Sequence, residues 1–379
     1  MKKTTHVIQL VRELVPGNGV SNVCSELSLE LAKRGISNEY ITIKDFGIHN
    51  GSLLEKNKYK KRLKLIRDVI VFATCASLKA WKLKKKIEKS NASHSCLVLC
   101  HNDALYGDAY IAHGLHSRYT KDNPKIILKN PFHLYMAFAD YFRYSLGLHS
   151  LYLFWNTTDA DYCKTNNKLR KDTIIIPQGI PSQRSASNAC KTSLSREYII
   201  ENAQLSITSK SPIQWVFSFC GHEFERKGLQ IIIDAMSMLN QTEIIACLAV
   251  AGEGSPSSVV HSANVPIYFC GKIANAQQLF READALVIAS SFETGPLVVL
   301  ESLAVGTPVL STAVGFCNDI IKNGHNGYIT ERTTESIYTA MRLLIESKDT
   351  RIAMRENSIA SVSNLTWGSV TTAILSGKH

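Results

Sequence analysis

ALVIASSFETGPLVVLESLAVGTPVLST, residues 285–312, reads as strand, loop, helix and strand with hardly a gap between them. ALVIAS is a short apolar run suited to a buried parallel strand. SFETGP holds the turn formers Gly295 and Pro296. LVVLESLAVG then keeps apolar residues on one helical face, and Gly306-Thr307-Pro308 ends the helix and opens the strand PVLST, 308–312. Strands separated by helical segments predict a parallel sheet with helices on both faces. Two acids, Glu293 at the loop and Glu301 in the helix, stand in this otherwise apolar stretch.

The alternation continues outward. Before it come WVFSFCG (215–221), a helix from about Gly228 to Leu239, IACLAVAGEG (245–254), PIYFCG (266–271) and a short helix near 276–283; after it come GYIT (327–330), helices over 334–347 and 349–361, and a last segment WGSVTTAIL (367–375). The first half has the same rhythm: HVIQLV (6–11), a loop PGNGVSN (16–22), a helical VCSELSLELAKRG (23–35), then YITIK (40–44), CLVLC (96–100), YIAH (110–113), LYLFW (151–155) and TIIIP (173–177). Residues 182–211, rich in Ser, Asn and Lys, separate the halves. The expected architecture is α/β, with two doubly wound domains over 1–181 and 182–361.

Size and composition agree. A chain of 379 residues exceeds one typical core and suits two domains of roughly 100–200 residues. With 45% hydrophobic and 20% charged residues it resembles neither a disordered chain nor a membrane bundle. No apolar run reaches the roughly 18–20 residues that cross a bilayer. The start, MKKTTHVIQLV, has a short apolar stretch interrupted by Arg12-Glu13 and no cleavage site, so no signal peptide and a cytoplasmic location are expected. Ten scattered cysteines without a Cys-x-x-Cys pair suggest reduced, core-filling thiols. The net charge of +11 is concentrated at 56–89, two basic blocks around an apolar middle with Phe72 and Trp81. That segment suits the anionic inner face of a membrane, or is a pair of ordinary surface helices. Aromatic residues do not interleave with the basic ones, which disfavours nucleic acid.

Three motifs carry chemistry. PGNGV, 16–20, sits between the first strand and helix, where glycines let amides approach a diphosphate or simply make a tight turn. Asn22 stands where G-x-G-x-x-G needs its third glycine, so a nicotinamide enzyme is disfavoured. FCGHEFERKGL, 219–229, places Arg226 and Lys227 just before Gly228 opens a helix; adjacent cations there repel the dipole unless an anion, most naturally a phosphate, sits beside them. In the opening stretch, Glu301 can accept two hydroxyl hydrogens of a ribose, and Glu293 lies at the loop's tip, nearer a reacting sugar.

Together these residues resemble a family 4 glycosyltransferase of the GT-B fold, whose signature is Glu, seven residues, Glu, then Leu-Ala-x-Gly-x-Pro, matched by Glu293, Glu301 and Leu303-Ala304-Val305-Gly306-Thr307-Pro308. FERKGL, AVAGEG, FCGKI and READALVIASSFE extend the similarity, which is nearest to the bacterial lipopolysaccharide-core and phosphatidylinositol sugar transferases. IPQGI, 176–180, resembles the interdomain hinge with Gln178 in place of the usual Asn. Trp367 resembles the start of a terminal helix, about 362–379, that crosses back to the first domain. The resemblance implies a retaining transfer from a nucleoside-diphosphate sugar to a hydroxyl of a lipid-linked, lipopolysaccharide or polysaccharide acceptor, with no metal or other cofactor. It makes Arg226, Lys227, Glu293 and His113 catalytic, His113 by its match in YIAHG. It makes Gly19, Gly221, Glu293, Thr294, Gly295, Leu297 and Glu301 donor-binding, with Asn18 departing from the usual Gly-Gly loop. His101 and Asn102, at the end of another strand, are candidates for the acceptor. Asp159 and Asp161 imitate a metal pair but read as the first turn of a helix. A nucleotide-sugar epimerase of the same fold and a non-catalytic nucleotide-sugar or membrane-binding protein remain as alternatives.

Overall fold

Strands covered by helices on both faces are apolar along their whole length, and the runs with that character form two parallel sheets. A computed structural model describes residues 4–377 apart from 16–18, 49–57, 92, 102, 123, 126–130, 181–193, 208–210, 243, 261–263 and 347. It divides into two compact units, Met1–Gly179 with Trp367–His379, and Ile180–Thr366.

In the first unit β1 (His6–Leu10), β2 (Ser37–Ile41), β3 (Cys96–His101), β4 (Ala109–Ala112), β5 (Leu151–Phe154) and β6 (Asp172–Ile175) lie in the order β2-β1-β3-β4-β5-β6. In the second, β7 (Trp215–Cys220), β8 (Ala246–Ala251), β9 (Ile267–Gly271), β10 (Ala285–Ile288), β11 (Val309–Thr312) and β12 (Gly327–Thr330) lie in the order β12-β11-β10-β7-β8-β9. All these pairs are parallel, for example Ile8 against Val98 and Leu286 against Ser218. The order reverses between β1 and β3 in one sheet and between β7 and β10 in the other. Loops leaving the carboxyl ends of such neighbouring strands diverge to opposite faces, which opens a crevice where α/β sheets take ligands.

The helices are held by their apolar stripes. Leu229–Leu239 buries Leu229, Ile232, Ile233, Met236 and Leu239, spaced three and four apart, against Phe217 and Val250 of the sheet. Each such side chain contributes about 1.5–3 kcal/mol on burial, far more than helix propensity does. Leu297–Ala304 buries Val299, Leu300 and Leu303 and leaves Glu301 half-buried. The terminal helix Trp367–Ser376 packs on the first unit, with Trp367 edge-on to Trp155 and Arg34 donating to the Gly368 carbonyl at 2.7 Å.

Several expectations change. Within 182–211, residues 182–193 and 208–210 lie outside the described residues, but Arg196–Gln204 is a helix capped by Ser195 and tied to Asp284 by Arg196 at 2.7 Å, so it belongs to the second unit rather than to a linker. Lys56 and Asn57 likewise lie outside the description; the rest of the basic segment is one helix, Lys58–Ser90. Its apolar middle is committed to the core, with Phe72, Ala76 and Ala80 fully buried, and Lys85 stacks over the partly exposed Trp81 ring at 3.9 Å. His116–Asp122 and Pro131–Ser145 are helices that the sequence reading passed over. Cys75 is exposed rather than core-filling, and Cys190 falls outside the described residues. No helix among the described residues is long and apolar enough to cross a membrane.

Candidate functional site

The loops that leave β7 and β10 meet where the second sheet reverses its strand order, and they are bonded together: Ser291 donates its amide hydrogen to the Arg226 carbonyl at 3.0 Å, and the Arg226 guanidinium donates to the Phe292 carbonyl. On this frame one carboxylate oxygen, Glu293 Oε1, accepts from Lys227 Nζ at 2.7 Å, Arg226 Nη1 at 3.1 Å and Ser290 Oγ at 3.1 Å. Arg226 Nε turns to Glu223 at 2.9 Å. The adjacent cations, expected to need an external anion, therefore have an internal one. Like charges side by side at a helix start require a counter-charge, and Glu293 supplies it across 66 residues of sequence.

Glycine makes the approach possible. A Cβ on Gly221 would lie 2.3 Å from Lys227 Cδ, so the lysine stem lies across the place a side chain would occupy. Gly228, at φ +72°, lets the loop close on the end of β10, where a Cβ would stand 2.3 Å from the Ala289 carbonyl oxygen. Arg332 fixes the same junction, donating from Nε to Ala289 at 2.8 Å and from Nη2 to Glu225 at 3.2 Å. Burial draws the Arg226 pKa down, but the Glu293 and Glu223 carboxylates more than offset it and hold it above the ordinary range. Burial pushes the Cys220 thiol up to about 12, with the Glu301 charge adding to the rise and Lys227 opposing it. Glu301 and Lys227 thus both act electrostatically on the end of β7. Thr294, Gly295 and Leu297 lie between Glu293 and Glu301; Pro296 caps the helix that Leu297 begins, and the Thr294 carbonyl packs against Gly315.

The other expected residues lie in the first unit. Gly19 begins the helix Gly19–Lys33, with no atom within 4 Å of where its Cβ would stand; Pro16, Gly17 and Asn18 of its loop lie outside the described residues, as does Asn102. His101 is 1% exposed and spends both ring nitrogens internally, Nε2 with Gln9 Oε1 and Nδ1 with His113 Nε2, each at 2.9 Å. It therefore backs His113 instead of meeting an acceptor itself, a correction to its expected place. The proton positions follow from Gln9, whose amide nitrogen donates to Asn38 Oδ1 at 2.9 Å and Ser28 Oγ at 3.0 Å, leaving its oxygen to accept. His101 then donates from Nε2 and accepts at Nδ1, so His113 donates from Nε2 and keeps a bare Nδ1. Burial depresses the pKa of both rings, His113 to about 3, so the pair is neutral. Asp159 is spent at its helix start, donating its amide hydrogen to Asn156 Oδ1 at 2.7 Å and accepting with its carboxylate from Arg118 Nη1 at 2.7 Å. Among the described residues no group of His, Cys, Asp and Glu is placed to hold a metal ion.

Sequence reasoning missed Ser290, Glu223, Arg332, Gly315 and Gln9. Ser290 alone carried a signal, as the last residue of an apolar run three positions from Glu293.

Residues 203–361 match the sequence family described as "Glycosyl transferases group 1". The N-acetyl-alpha-D-glucosaminyl L-malate synthase of Bacillus anthracis is 30% identical over 111 residues, which cover 28% of this chain and 29% of that one. The chain spans about three tenths of that curated relative's length. Among solved structures, WaaG, a glycosyltransferase involved in lipopolysaccharide biosynthesis, superposes with a TM-score of 0.65 at 17% identity over 97% of this chain and 98% of its own. Sucrose-phosphate synthase from Thermosynechococcus elongatus does so with a TM-score of 0.67 at 15% identity, over 98% and 97%. Such likeness at low identity speaks for the fold, and the family match for the unit that holds Arg226, Lys227, Glu293 and Glu301: the chain has the two-unit α/β fold of these glycosyltransferase structures, and its residues 203–361 are similar to the group 1 glycosyl transferases.

Proposed function

We propose that this chain is a retaining glycosyltransferase that moves a sugar from a nucleoside-diphosphate sugar to a hydroxyl of a glycan or glycolipid acceptor in cell-envelope synthesis, working in the cytoplasm at the inner face of a membrane. The observation that carries the reading is the single carboxylate, Glu293, shared by Lys227 and Arg226 beside the helix of Glu301. The bond from the anomeric carbon to the diphosphate oxygen breaks with its electron pair on that oxygen, while the acceptor oxygen bonds to the carbon and gives its proton to the departing diphosphate. Arg226 and Lys227, held in place before the reaction, meet the charge that develops on the leaving diphosphate without reorganisation and in place of a metal. Glu301 takes the ribose hydroxyls. Glu293 faces the transferred sugar, and its hold on both cations keeps them from repelling each other while no donor is bound. Gly221, Thr294, Gly295 and Leu297 line the donor's path, with Gly19 offering backbone to phosphate. His113 acts on the reacting sugar as a neutral hydrogen-bond acceptor.

The test is transfer from a panel of nucleotide sugars to crude membrane glycolipids. Arg226→Ala and Glu301→Gln should each lower kcat/KM by about 100-fold or more, a few kcal/mol of transition-state binding, with melting unchanged and activity indifferent to a chelator. Full turnover in either variant would sink the reading. Epimerised sugar from donor alone would point to the epimerase, and tight donor binding without turnover to a binding protein.

A further inference from the structure

One face of the helix Lys58–Ser90 borders the core of the first unit without being covered by it. Cys75, Leu78, Lys79, Lys82, Leu83 and Lys86 follow one another at spacings that keep them on one side of the helix, and Phe46 of the short 3-10 helix Ile43–Phe46 stands beside them. Together they line a groove of about 530 Å³, within the roughly 300–1,000 Å³ of small-ligand sites. Phe46 and Leu83 rest on the core and make its inner side, while Leu78 is 54% exposed and Cys75 is exposed. From Cys75 to Lys86 the helix rises about 17 Å. That is close to the depth of one leaflet in a bilayer whose hydrocarbon core is roughly 30 Å thick.

The charge along this groove has one sign. Lys79 is tied to Asp45 at 2.9 Å and reaches over the Phe46 ring at 5.9 Å, whereas Lys82 and Lys86 have no partner among the described residues. No described acid lines the groove. Free phosphate would meet the lysines and leave the apolar side in water; a cationic chain would cover the apolar side and be repelled at its head. A second copy of this chain, using the same patch, would set lysine against lysine. An alkyl chain that ends in an anion satisfies both the apolar side and the lysines.

We propose that this groove holds one acyl chain of an anionic phospholipid of the bilayer, its headgroup phosphate at Lys82 and Lys86 and its chain running past Leu83, Phe46 and Leu78 to Cys75. The proposal deepens the reading of a chain that works at a membrane, and it asks nothing of sugar transfer. Calorimetric titration of the full chain tests it with soluble probes held below their micelle-forming concentrations: dodecyl phosphate, octyl phosphate, dodecyltrimethylammonium and inorganic phosphate. Dodecyl phosphate should bind at one site, more than tenfold tighter than octyl phosphate, since each methylene buried contributes about fourfold. The ammonium and inorganic phosphate should not bind. Labelling of Cys75 by N-ethylmaleimide, read by peptide mass spectrometry, should slow at least tenfold with dodecyl phosphate and with phosphatidylglycerol vesicles, but not with phosphatidylcholine vesicles. Cys75→Trp, which fills the groove from an exposed position, should abolish dodecyl phosphate binding with melting unmoved, and the Lys82→Glu, Lys86→Glu double variant should weaken it at least tenfold. If one of these variants does not fold, the other carries the test with the labelling. Absent binding of dodecyl phosphate, equal affinity for the two alkyl phosphates, binding of the ammonium, or an undiminished signal in folded Cys75→Trp would overturn the proposal. So would a dimer in sedimentation that Cys75→Trp disrupts. Dodecyl phosphate binding without protection of Cys75 by phosphatidylglycerol vesicles would overturn the bilayer as the source of the chain. Vesicle binding without dodecyl phosphate binding would remove this groove and leave the membrane reading in place.

Discussion

His113 shows how a neighbour sets a residue's chemistry. The Gln9 amide, oriented by Asn38 and Ser28, dictates the His101 tautomer, and His101 dictates that of His113. Because burial holds His113 at a pKa of about 3, against about 6.5 in an unfolded chain, the unfolded state binds a proton that the folded ring refuses. Its contribution to stability is whole above pH 6.5 and is lost as pH falls toward 3. Asp140, pushed up to about 6 by burial, works the other way, gaining stability as pH falls from about 6 toward 4. Comparing each protein with itself removes that background: between pH 6.5 and 4, His113→Gln should lose up to about 1.4 kcal/mol less per pH unit than the unsubstituted chain, reduced where solvent reaches the half-buried ring. Urea unfolding at several pH values measures it, and parallel slopes would refute it. None of this was legible in the sequence, where His113 was marked by its match in YIAHG and His101 by its place after a strand. A strand end says which residues reach the sheet's edge, but it does not say which of two rings has a polar partner behind it. For the same reason Arg226 and Lys227 looked like cations without a counter-charge, since Glu293 is brought to them by the crossing of two loops.

At the level of elements, strands were read best and the helix Lys58–Ser90 worst. Buried parallel strands are apolar without interruption, so CLVLC and ALVIAS announce themselves to within a residue or two. A 33-residue helix that is half core and half lysine gives two signals at once, and the basic blocks hid the stripe of Val69, Phe72, Ala76 and Ala80 that anchors it. Two faces imply two kinds of variant. Phe72→Ala, which empties a fully buried site, should destabilise the chain by roughly 3–5 kcal/mol in denaturant unfolding. On the outer face, Leu78 is 54% exposed beside Lys82 and Lys86, which have no partner among the described residues, while Lys79 and Lys84 are tied to Asp45 and Asp108. Vesicles rich in phosphatidylglycerol should bind the chain, and a Lys82→Glu, Lys86→Glu double variant should weaken that binding at least tenfold, at about 1 kcal/mol per basic residue lost, with melting unmoved. Equal binding of the two proteins, or none by either, would take the membrane out of the functional reading.

At the scale of the whole molecule, the two units have separate cores, one built around Phe217, Ile232 and Leu310 and the other around Phe72, Tyr110 and Tyr152. The residues assigned to the leaving diphosphate and ribose lie in Ile180–Thr366 apart from Gly19, which belongs to the first unit together with His101 and His113. The four tryptophans permit this to be observed: Trp215 is the one in the second unit, while Trp81, Trp155 and Trp367 belong to the first. In a variant carrying Trp81→Phe, Trp155→Phe and Trp367→Phe, fluorescence reports the second unit alone. The cognate nucleoside diphosphate at about 100 times its dissociation constant should stabilise that unit by about 2.7 kcal/mol, moving the Trp215 transition up by roughly 5–10 °C. Screening uridine, guanosine and adenosine diphosphates in this way names the base, because a pocket built to hydrogen-bond one base leaves its polar groups unpaired with another. If no diphosphate moves the Trp215 transition, the shared carboxylate of Glu293 is a structural ion pair and the donor site is misassigned.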